Sequence, residues 1–331
     1  MKKLAILAAS ALLLSTSLSA FTLGKLGEFK FEKINKNVFV MHGPEMEPNE
    51  ENEGFMNNPA IIEGKTSLII VDPGGNYNIG KKIVEEVKKV SQKPVVAIFN
   101  THKHGDHWFS NKSFLEVWPN AKIYALENMI KEVKKEAADT WYEILERLSG
   151  NLEGTKPYAF PIIGLNDGDK LEIDGEHFVM HHPFLHMHTD SDILIEHVDS
   201  LTLFTGDNII HNRFGGFDGS SSVFENMKLL EVMKDQKGSF NKKYNLIVPG
   251  HGPSSGDYTK VIDPFLNYLK VITKYAKQAY DEDMEAFEIV DDVDAALAEF
   301  PNGYQKWDAY EVQMRKHLSK AYAEIEAKDM E

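Results

Sequence analysis

The chain of 331 residues is long enough for one large domain with a substantial core, and its 42% hydrophobic content excludes a disordered protein. It contains no cysteine, which excludes disulfides, thiolate zinc sites and iron–sulfur clusters, so any metal must be held by histidine and carboxylate groups. The formal net charge of −15 opposes binding to nucleic acid, because an acidic surface repels phosphate.

Residues 1–20 have the pattern of an export signal. Two lysines precede an apolar run over residues 4–14, which is too short to span a bilayer. Small residues follow, and cleavage is expected after Ser19 or Ala20. We therefore predict a periplasmic or secreted protein with no stable membrane insertion after cleavage, and an uncleaved anchor is the alternative.

The first half of the chain alternates strand and helix patterns. Two strands are predicted over residues 28–41, followed by an acidic, turn-rich loop over 44–58. Helical stripes of apolar residues run over 79–90 and 126–149. By default, residues 44–58 are expected to be a solvated loop, and residues 126–149 a helix packed on a sheet. The alternative for each segment is that it covers a functional site. Buried strands are also predicted at residues 60–62, 68–71, 95–99 and 123–125.

The second half continues the alternation and then becomes helical. A hairpin is predicted over residues 169–182, with the turn at Asp174-Gly175. Helices are predicted from residue 257 onward, and Pro301 and Gly303 separate the last two. The pattern predicts an α/β fold with a main domain over 21–256 and a helical extension over 257–331. Three more strands are predicted at residues 193–195, 201–204 and 246–248.

A cluster of metal-type ligands follows the predicted strand at residues 95–99. His102, His104, Asp106 and His107 lie within six residues of one another. Neither a helix nor a strand would point all four side chains the same way, so we predict a tight loop around metal, with Gly105 permitting the turn. Histidine and carboxylate are ligands that zinc accepts without thiolate.

Four further candidates lie in loops beside predicted strands, where scaffolds place functional residues. A lone histidine in a loop is usually solvated, and a lone aspartate usually belongs to a turn or a helix cap. The ligand cluster at residues 102–107 nevertheless favours a role in metal binding for these loop residues as well. These candidates are Asp72, His188, Asp207 and His251.

In combination, the HxHxDH cluster, the later His-Thr segment, the Gly-Asp after a strand and the Gly-His-Gly motif resemble the signature of the metallo-β-lactamase superfamily. The resemblance covers about residues 28–255. It implies a four-layer αββα sandwich with metals at one edge, here followed by a C-terminal helical extension. The chain is most similar in pattern to exported zinc hydrolases of the sulfur-oxidation and quinoprotein-relay type, and to glyoxalase II-like hydrolases.

The resemblance also implies a role for each ligand around two zinc ions. Asp207 would bridge the two metals, and Asp106 would be catalytic by orienting a metal-bound hydroxide. Asp72 would support the site from behind the ligands. His188 is preferred to His186 because the following Thr189 and Asp192 then fall at the family's spacing. The first metal would take His102, His104 and His188, and the second Asp106, His107 and His251.

The predicted function is hydrolysis of a small ester, thioester, lactone or amide, with His211 and Arg213 as candidate contacts for an anionic substrate. Three alternatives remain open. They are β-lactamase activity, a mononuclear-iron persulfide dioxygenase, and a non-catalytic periplasmic metal-binding partner. Iron and manganese also accept this ligand set. Neither the oligomeric state nor the substrate follows from the sequence.

Overall fold

The computed structural model describes residues 28–161 and 163–330, so the predicted export signal at 1–20 lies outside the described residues. Within these ranges the chain forms two β-sheets flanked by helices. The strands are β1 (Glu32–Asn35), β2 (Val38–Val40), β3 (Ala60–Glu63), β4 (Leu68–Val71), β5 (Val95–Phe99), β6 (Lys122–Leu126), β7 (Ile163–Leu165), β8 (Lys170–Ile173), β9 (Glu176–His181), β10 (Leu194–His197), β11 (Thr202–Gly206) and β12 (Leu246–Pro249).

The helices cover the outer faces of these sheets and form the C-terminal region. Helices α4 and α5 are joined by a π-helical turn at Val133–Ala137. The helices are α1 (Tyr77–Val90), α2 (Gly105–Trp108), α3 (Asn111–Val117), α4 (Glu127–Glu132), α5 (Ala138–Ser149), α6 (Val223–Lys234), α7 (Tyr258–Val261), α8 (Asp263–Asp281), α9 (Val290–Ala298) and α10 (Tyr310–Asp329).

Both sheets are mixed. The first has the strand order β1 to β7, antiparallel up to β4 and parallel from β4 onward. The second has the order β12-β11-β10-β9-β8, with one parallel pair, β11 and β12. Parallel strands end at the same edge of a sheet, so the loops after β4 and β5 lie together, as do those after β11 and β12.

Apolar side chains on the two faces of each strand build the layers. In β4, Ile69 packs between the two sheets, whereas Ile70 packs outward beneath α1 and α3. The outer face of the second sheet is covered by α6, α8, α9 and α10 through residues such as Leu203 and Phe265. The predicted four-layer α/β fold is therefore confirmed, and α8 to α10 share one hydrophobic core with the second sheet.

Several local predictions are refined by the structure. The hairpin turn is formed by Asp174 and Gly175, both with positive φ. Strand β7 was not predicted, because it is only three residues long and joins the sheet edge through its pairing with β6. Among the described residues, no helix combines the length and apolar character needed to cross a membrane.

Candidate metal centre

Seven predicted ligands come together at one edge of the sandwich. Residues 102–107 follow β5, Asp207 follows β11, and His251 follows β12. His188 precedes β10, which runs antiparallel to β11, so it lies at the same edge. The two sheets are joined here by a hydrogen bond from the backbone N–H of Ile193 to the carbonyl of Thr101 at 2.8 Å.

The first group of ligands consists of three histidines and one carboxylate, whose ligand atoms all lie within 4.8 Å of one another. Nδ1 of His104 lies 3.1 Å from Nε2 of His188. The same Nε2 lies 3.7 Å from Oδ2 of Asp207. Nε2 of His102 is buried and has no hydrogen-bond partner among the described residues. This is the set assigned by resemblance to the first metal, with Asp207 added.

The second group consists of two carboxylates and two histidines, again with ligand atoms within 4.8 Å of one another. Oδ2 of Asp106 lies 3.2 Å from Nε2 of His107 and 3.2 Å from Nε2 of His251. Oδ1 of Asp207 lies 3.2 Å from Nε2 of His107. Oδ2 of Asp207 lies 3.3 Å from Nε2 of His251, and the same oxygen is the one that approaches His188 of the first group. Asp207 therefore belongs to both groups.

The hydrogen-bonding deficit of this cluster tests whether metal fits. Buried polar atoms in folded proteins nearly always have a partner, so a group of unsatisfied ones at one place indicates a site for water or an ion. The donor set contains five histidines and two carboxylates, which suits divalent zinc, iron or manganese. The fully buried side-chain atoms without a hydrogen-bond partner include His102 Nε2, Asp106 Oδ2, His107 Nε2, Asp207 Oδ1 and His251 Nε2.

In three of the histidines Nδ1 is engaged, which fixes the direction of the free Nε2. Nδ1 of His107 hydrogen-bonds Oδ2 of Asp72 at 2.8 Å, and Nδ1 of His251 hydrogen-bonds the carbonyl of Met56 at 2.7 Å. The hydroxyl of Thr101 donates to Asp72 at 2.7 Å and lies 3.1 Å from Nδ1 of His102. Such partners orient metal-binding histidines and set their tautomers.

Electrostatics favour the protonation states that metal ligands need at three of these residues. Burial and the neighbouring histidines hold the pKa of His102 well below its ordinary value, and burial and His104 lower that of His188 to about 3. Burial opposes ionisation of Asp106, but His107 and His251 outweigh it, so its pKa lies well below the ordinary value. The carboxylates are therefore ionised and these two rings neutral at pH 7, as metal binding requires. At His107 and His251, burial opposes the charged ring, but the neighbouring carboxylates outweigh it and raise the pKa of the rings, so metal binding there would release a proton.

The ligand cluster differs from the predicted loop in one respect. Residues Gly105–Trp108 form a short helix, and His104 stands at its N-cap position. Gly105 is not needed for a turn, because its φ is not positive. It is needed for space, since a Cβ there would lie 2.5 Å from the ring of Phe109. A second close approach occurs at Gly250, where a Cβ would overlap Oδ1 of Asp207.

A charged network behind His104 was not predicted. The buried Nζ of Lys103 lies 2.9 Å from Asp190, 2.8 Å from Ser220 and 3.4 Å from Asp218. Oδ2 of Asp218 also lies 3.9 Å from Nε2 of His104. Burial opposes the charge on Lys103, but Asp218 and Asp190 outweigh it and raise its pKa. No sequence signal links these residues, because their loops meet only in the fold.

A cavity of about 350 Å³ opens beside the ligands. Its wall includes Trp141 on α5, whose ring centroid lies 4.3 Å from that of His104, and Met56 from the loop over 44–58. Both segments thus form part of the cavity wall. The helix also packs on the sheet core through residues such as Leu145, as predicted, whereas the interpretation of 44–58 as a solvated loop is wrong because Met56 is buried. Ile144 and Leu148 extend the apolar surface of α5.

The two predicted substrate contacts differ in position. Arg213 lines the cavity. His211 is not among the described residues of the cavity wall, and its Nε2 instead donates to the carbonyl of Val261 at 2.8 Å. The competing His186 lies outside both ligand groups, with Nδ1 3.0 Å from the carbonyl of Ser220.

A third group of metal-type side chains lies on the second sheet, away from the cavity. It consists of Glu176, His197 and Asp199. Both ring nitrogens of His197 have partners, since Nε2 hydrogen-bonds Glu176 at 2.7 Å and Nδ1 hydrogen-bonds Ser200 at 2.7 Å. These hydrogen bonds account for the cluster without a metal.

Comparisons with known proteins agree with this geometry. A family model described as the metallo-β-lactamase superfamily matches residues 52–259. A linear primary-alkylsulfatase of a Pseudomonas species is 32% identical over 118 residues, which are 34% of this chain and 21% of that protein. A probable metallo-hydrolase of Streptococcus pyogenes is 28% identical over 205 residues, which are 60% of this chain and 80% of that protein.

Solved structures share the fold. A sec-alkylsulfatase from a Pseudomonas species superimposes with a TM-score of 0.64 at 13% identity, over 89% of this chain and 50% of that chain. A metallo-β-lactamase from Pontibacter korlensis superimposes with a TM-score of 0.55 at 14% identity, over 73% of this chain and 99% of that chain. The chain thus spans about a fifth of the curated alkylsulfatase and half of the solved one.

Proposed function

The chain belongs to the metallo-β-lactamase superfamily, its matched relatives include hydrolases, and from that premise we propose that it is a dinuclear zinc hydrolase of small esters, thioesters, lactones or amides. The observation that carries the proposal is the pair of four-residue groups that share Asp207. One carboxylate that offers an oxygen to each of two neighbouring groups suits a bridge between two cations.

The ligands would divide between the metals as the two groups divide. Two bound divalent metals would lower the pKa of a bound water and polarise a substrate carbonyl. Nδ1 of His107 is held by Asp72, and Nδ1 of His251 by the carbonyl of Met56. Nε2 of each ring is thereby left free for metal. Asp106 also lines the cavity, where its carboxylate would accept a proton or orient a water.

The matched relatives support hydrolysis and leave the substrate open. A hydroxyacylglutathione hydrolase of Francisella tularensis is 34% identical over 74 residues, which are 22% of this chain and 27% of that protein. The linear primary-alkylsulfatase makes alkyl sulfates a second candidate substrate class. That candidate is favoured by Arg213, a cationic side chain in the wall of the cavity. β-Lactams belong in the same substrate screen.

We also propose that the protein is exported, on the strength of the pattern at residues 1–20. The test is expression of the full chain in a Gram-negative host, followed by intact-mass measurement of the protein in the periplasmic fraction. A mass that corresponds to a chain beginning near residue 20 or 21 supports export and cleavage. A full-length mass in the cytoplasm contradicts it.

Metal content and hydrolysis measured on the same preparation test the proposal. Protein purified without chelators should contain about two zinc ions per chain by elemental mass spectrometry. Asp106→Asn and His188→Ala should abolish metal-dependent hydrolysis. His186→Ala is the matched control and should retain it, because its ring lies outside both groups. One iron per chain, or full activity in Asp106→Asn, would overturn the assignment.

A further inference from the structure

Arg213 is a buried cation with unmet hydrogen-bonding capacity in the cavity wall. Only 7% of its side chain is exposed. Nη1 has no hydrogen-bond partner among the described residues, and Nε is likewise without one. The nearest carboxylate is that of Glu47, with Oε1 3.5 Å from Nε, and this approach forms no hydrogen bond. A buried guanidinium with free donors is costly unless a ligand supplies the acceptors.

Helix α10 brings two more polar side chains to the same cavity. Lys316 lines the cavity, is exposed, and forms no hydrogen bond or ion pair with the described residues. Gln313 lines it one helical turn earlier, and its Oε1 is buried without a partner. Its amide can serve as donor or acceptor, since a half-turn of the terminal torsion exchanges the two.

The segment that carries Arg213 is fixed against the C-terminal region. The backbone N–H of Phe214 donates to the carbonyl of Asp308 at 3.0 Å, and the N–H of Asp308 donates to the carbonyl of Asn212 at 2.8 Å. His317 on α10 hydrogen-bonds the carbonyl of Gly215 at 2.9 Å and the hydroxyl of Tyr268 at 2.8 Å. The backbone at Arg213 is therefore held in place, and α10 contributes to the cavity wall.

The acidic side chains of the cavity do not satisfy this cation. Asp106 and Asp207 belong to the ligand groups, and Asp218 is paired with Lys103 at 3.4 Å. Glu47 approaches Arg213 through a buried Oε1 that itself has no hydrogen-bond partner, so this pair leaves the donors of the guanidinium unsatisfied. The unsatisfied donors of Arg213 and the charge of Lys316 thus line the cavity of a strongly acidic protein.

We propose that the cavity recognises substrates that carry an oxyanion, either a carboxylate or a sulfate. Arg213 and Lys316 bind this anionic group, and Gln313 contacts the substrate atoms next to it. A guanidinium presents paired donors that match the oxygens of either anion. The apolar surface formed by Trp141, Ile144 and Leu148 suits a hydrocarbon arm on the same molecule. This inference rests on the proposed function for the identity of the cavity as a substrate site.

Calorimetric titration of the metal-containing protein tests the proposal without reference to turnover. The probes are sodium hexanoate, sodium hexyl sulfate and 1-hexanol, which share one hydrocarbon arm. The wild-type protein should bind at least one of the two anions tenfold or more tightly than the alcohol, on the order expected for a charge-assisted pair. Preference for hexanoate assigns a carboxylate substrate, and preference for hexyl sulfate assigns a sulfate ester.

Three variants assign that preference to residues. Arg213→Gln should remove most of the preference for the anion and leave binding of 1-hexanol unchanged. Lys316→Gln, at an exposed position where folding is not at risk, should reduce it by a few-fold. Arg315→Gln is the control, because it removes the same charge from α10 at a residue outside the cavity wall. Circular dichroism and thermal melting establish that each variant is folded.

The outcomes separate this inference from the proposed function. An anion preference that persists in folded Arg213→Gln and in Lys316→Gln would overturn it, because the metals alone would then account for anion binding. The same holds if the wild-type protein shows no preference. Binding through Arg213 in a protein that hydrolyses no ester, thioester, lactone or amide would overturn only the proposed function.

Discussion

Oδ2 of Asp72 lies 2.8 Å from Nδ1 of His107, and the same carboxylate accepts the backbone N–H and hydroxyl of Thr101 at 2.9 and 2.7 Å. Asp72 is buried at the end of β4 and occupies the left-handed region, with φ of 49°. Three hydrogen bonds hold this backbone geometry. The carboxylate therefore connects the first sheet to a ligand of the second metal group.

Replacement of Asp72 should weaken metal binding without removing a ligand. In Asp72→Asn, the amide cannot act as a charged acceptor for His107, so the ring loses both orientation and basicity. We expect zinc affinity to fall by about 10–100-fold, the usual effect of such partners. Competition with a chromophoric chelator measures it. Asp291→Asn, at an exposed position on α9, is the control, and equal affinities in the two variants would contradict the role of Asp72.

Removal of metal should destabilise the folded protein. Without cations, the buried carboxylates of Asp106 and Asp207 would repel each other in a low-dielectric site, and a ligand that binds only the folded state stabilises it by mass action. Treatment with a chelator should lower Tm by about 5 °C or more. Differential scanning calorimetry before and after addition of zinc measures the change. An unchanged Tm in demonstrably metal-free protein would argue against the cluster as a metal site.

Gly105 should tolerate no side chain. A Cβ at this position would lie 2.5 Å from the ring of Phe109, which is itself buried. Gly105→Ala should therefore cost about 1–3 kcal/mol of unfolding free energy, as overpacking does. Gly219→Ala is the matched control, because nothing lies within 4 Å of its added Cβ. Urea unfolding compares the two, and equal stabilities would show that the Phe109 ring moves aside.

Trp141 should affect substrate binding more than the chemical step. Its ring packs 4.3 Å from that of His104 and forms apolar cavity wall. If the proposed function holds, Trp141→Ala should raise KM for an apolar ester by about tenfold through lost contact area, with little change in kcat. Trp141→Phe should recover much of the loss. A fall in kcat with unchanged KM would instead assign Trp141 to the orientation of His104.

Asp174 should make stability depend on pH below about 4. It joins the β8–β9 turn to the β3–β4 turn by accepting hydrogen bonds from the backbone N–H groups of Thr66 and Ser67 at 2.6 and 2.8 Å. Burial opposes its ionisation, but these bonds outweigh it and lower its pKa to about 2. A folded pKa below the unfolded value of about 3.9 stabilises the protein above that pH, and this contribution is lost as pH falls toward 2.

Asp174→Asn should therefore lower Tm at neutral pH, and the difference from the wild-type protein should shrink between about pH 4 and pH 2. Thermal melting across this range measures both effects. A constant difference in Tm over the range would mean that the shape of the side chain matters and its charge does not.

The sequence alone determined the layered fold and the ligand set that the structure brings together. Alternating apolar strands and helical stripes predicted an α/β fold because each period buries one face of its element, and the resemblance to the superfamily implied the four-layer sandwich. The cluster from His102 to His107 was recognisable because four ligands are adjacent in the chain. Asp207 and His251 each follow a predicted strand, and the adjacent cluster together with the resemblance made them candidates.

Only the tertiary structure decided which other side chains meet at that edge. Lys103 and Asp218, or Arg213 and α10, are distant in sequence and are joined by loops whose paths depend on packing and hydrogen bonds across the whole chain. The same is true of Trp141, whose stripe has ordinary core spacing although the ring lies against His104. The periodicity of the sequence shows which face of a helix or strand is buried. Which residues that face contacts is decided only when the layers pack together.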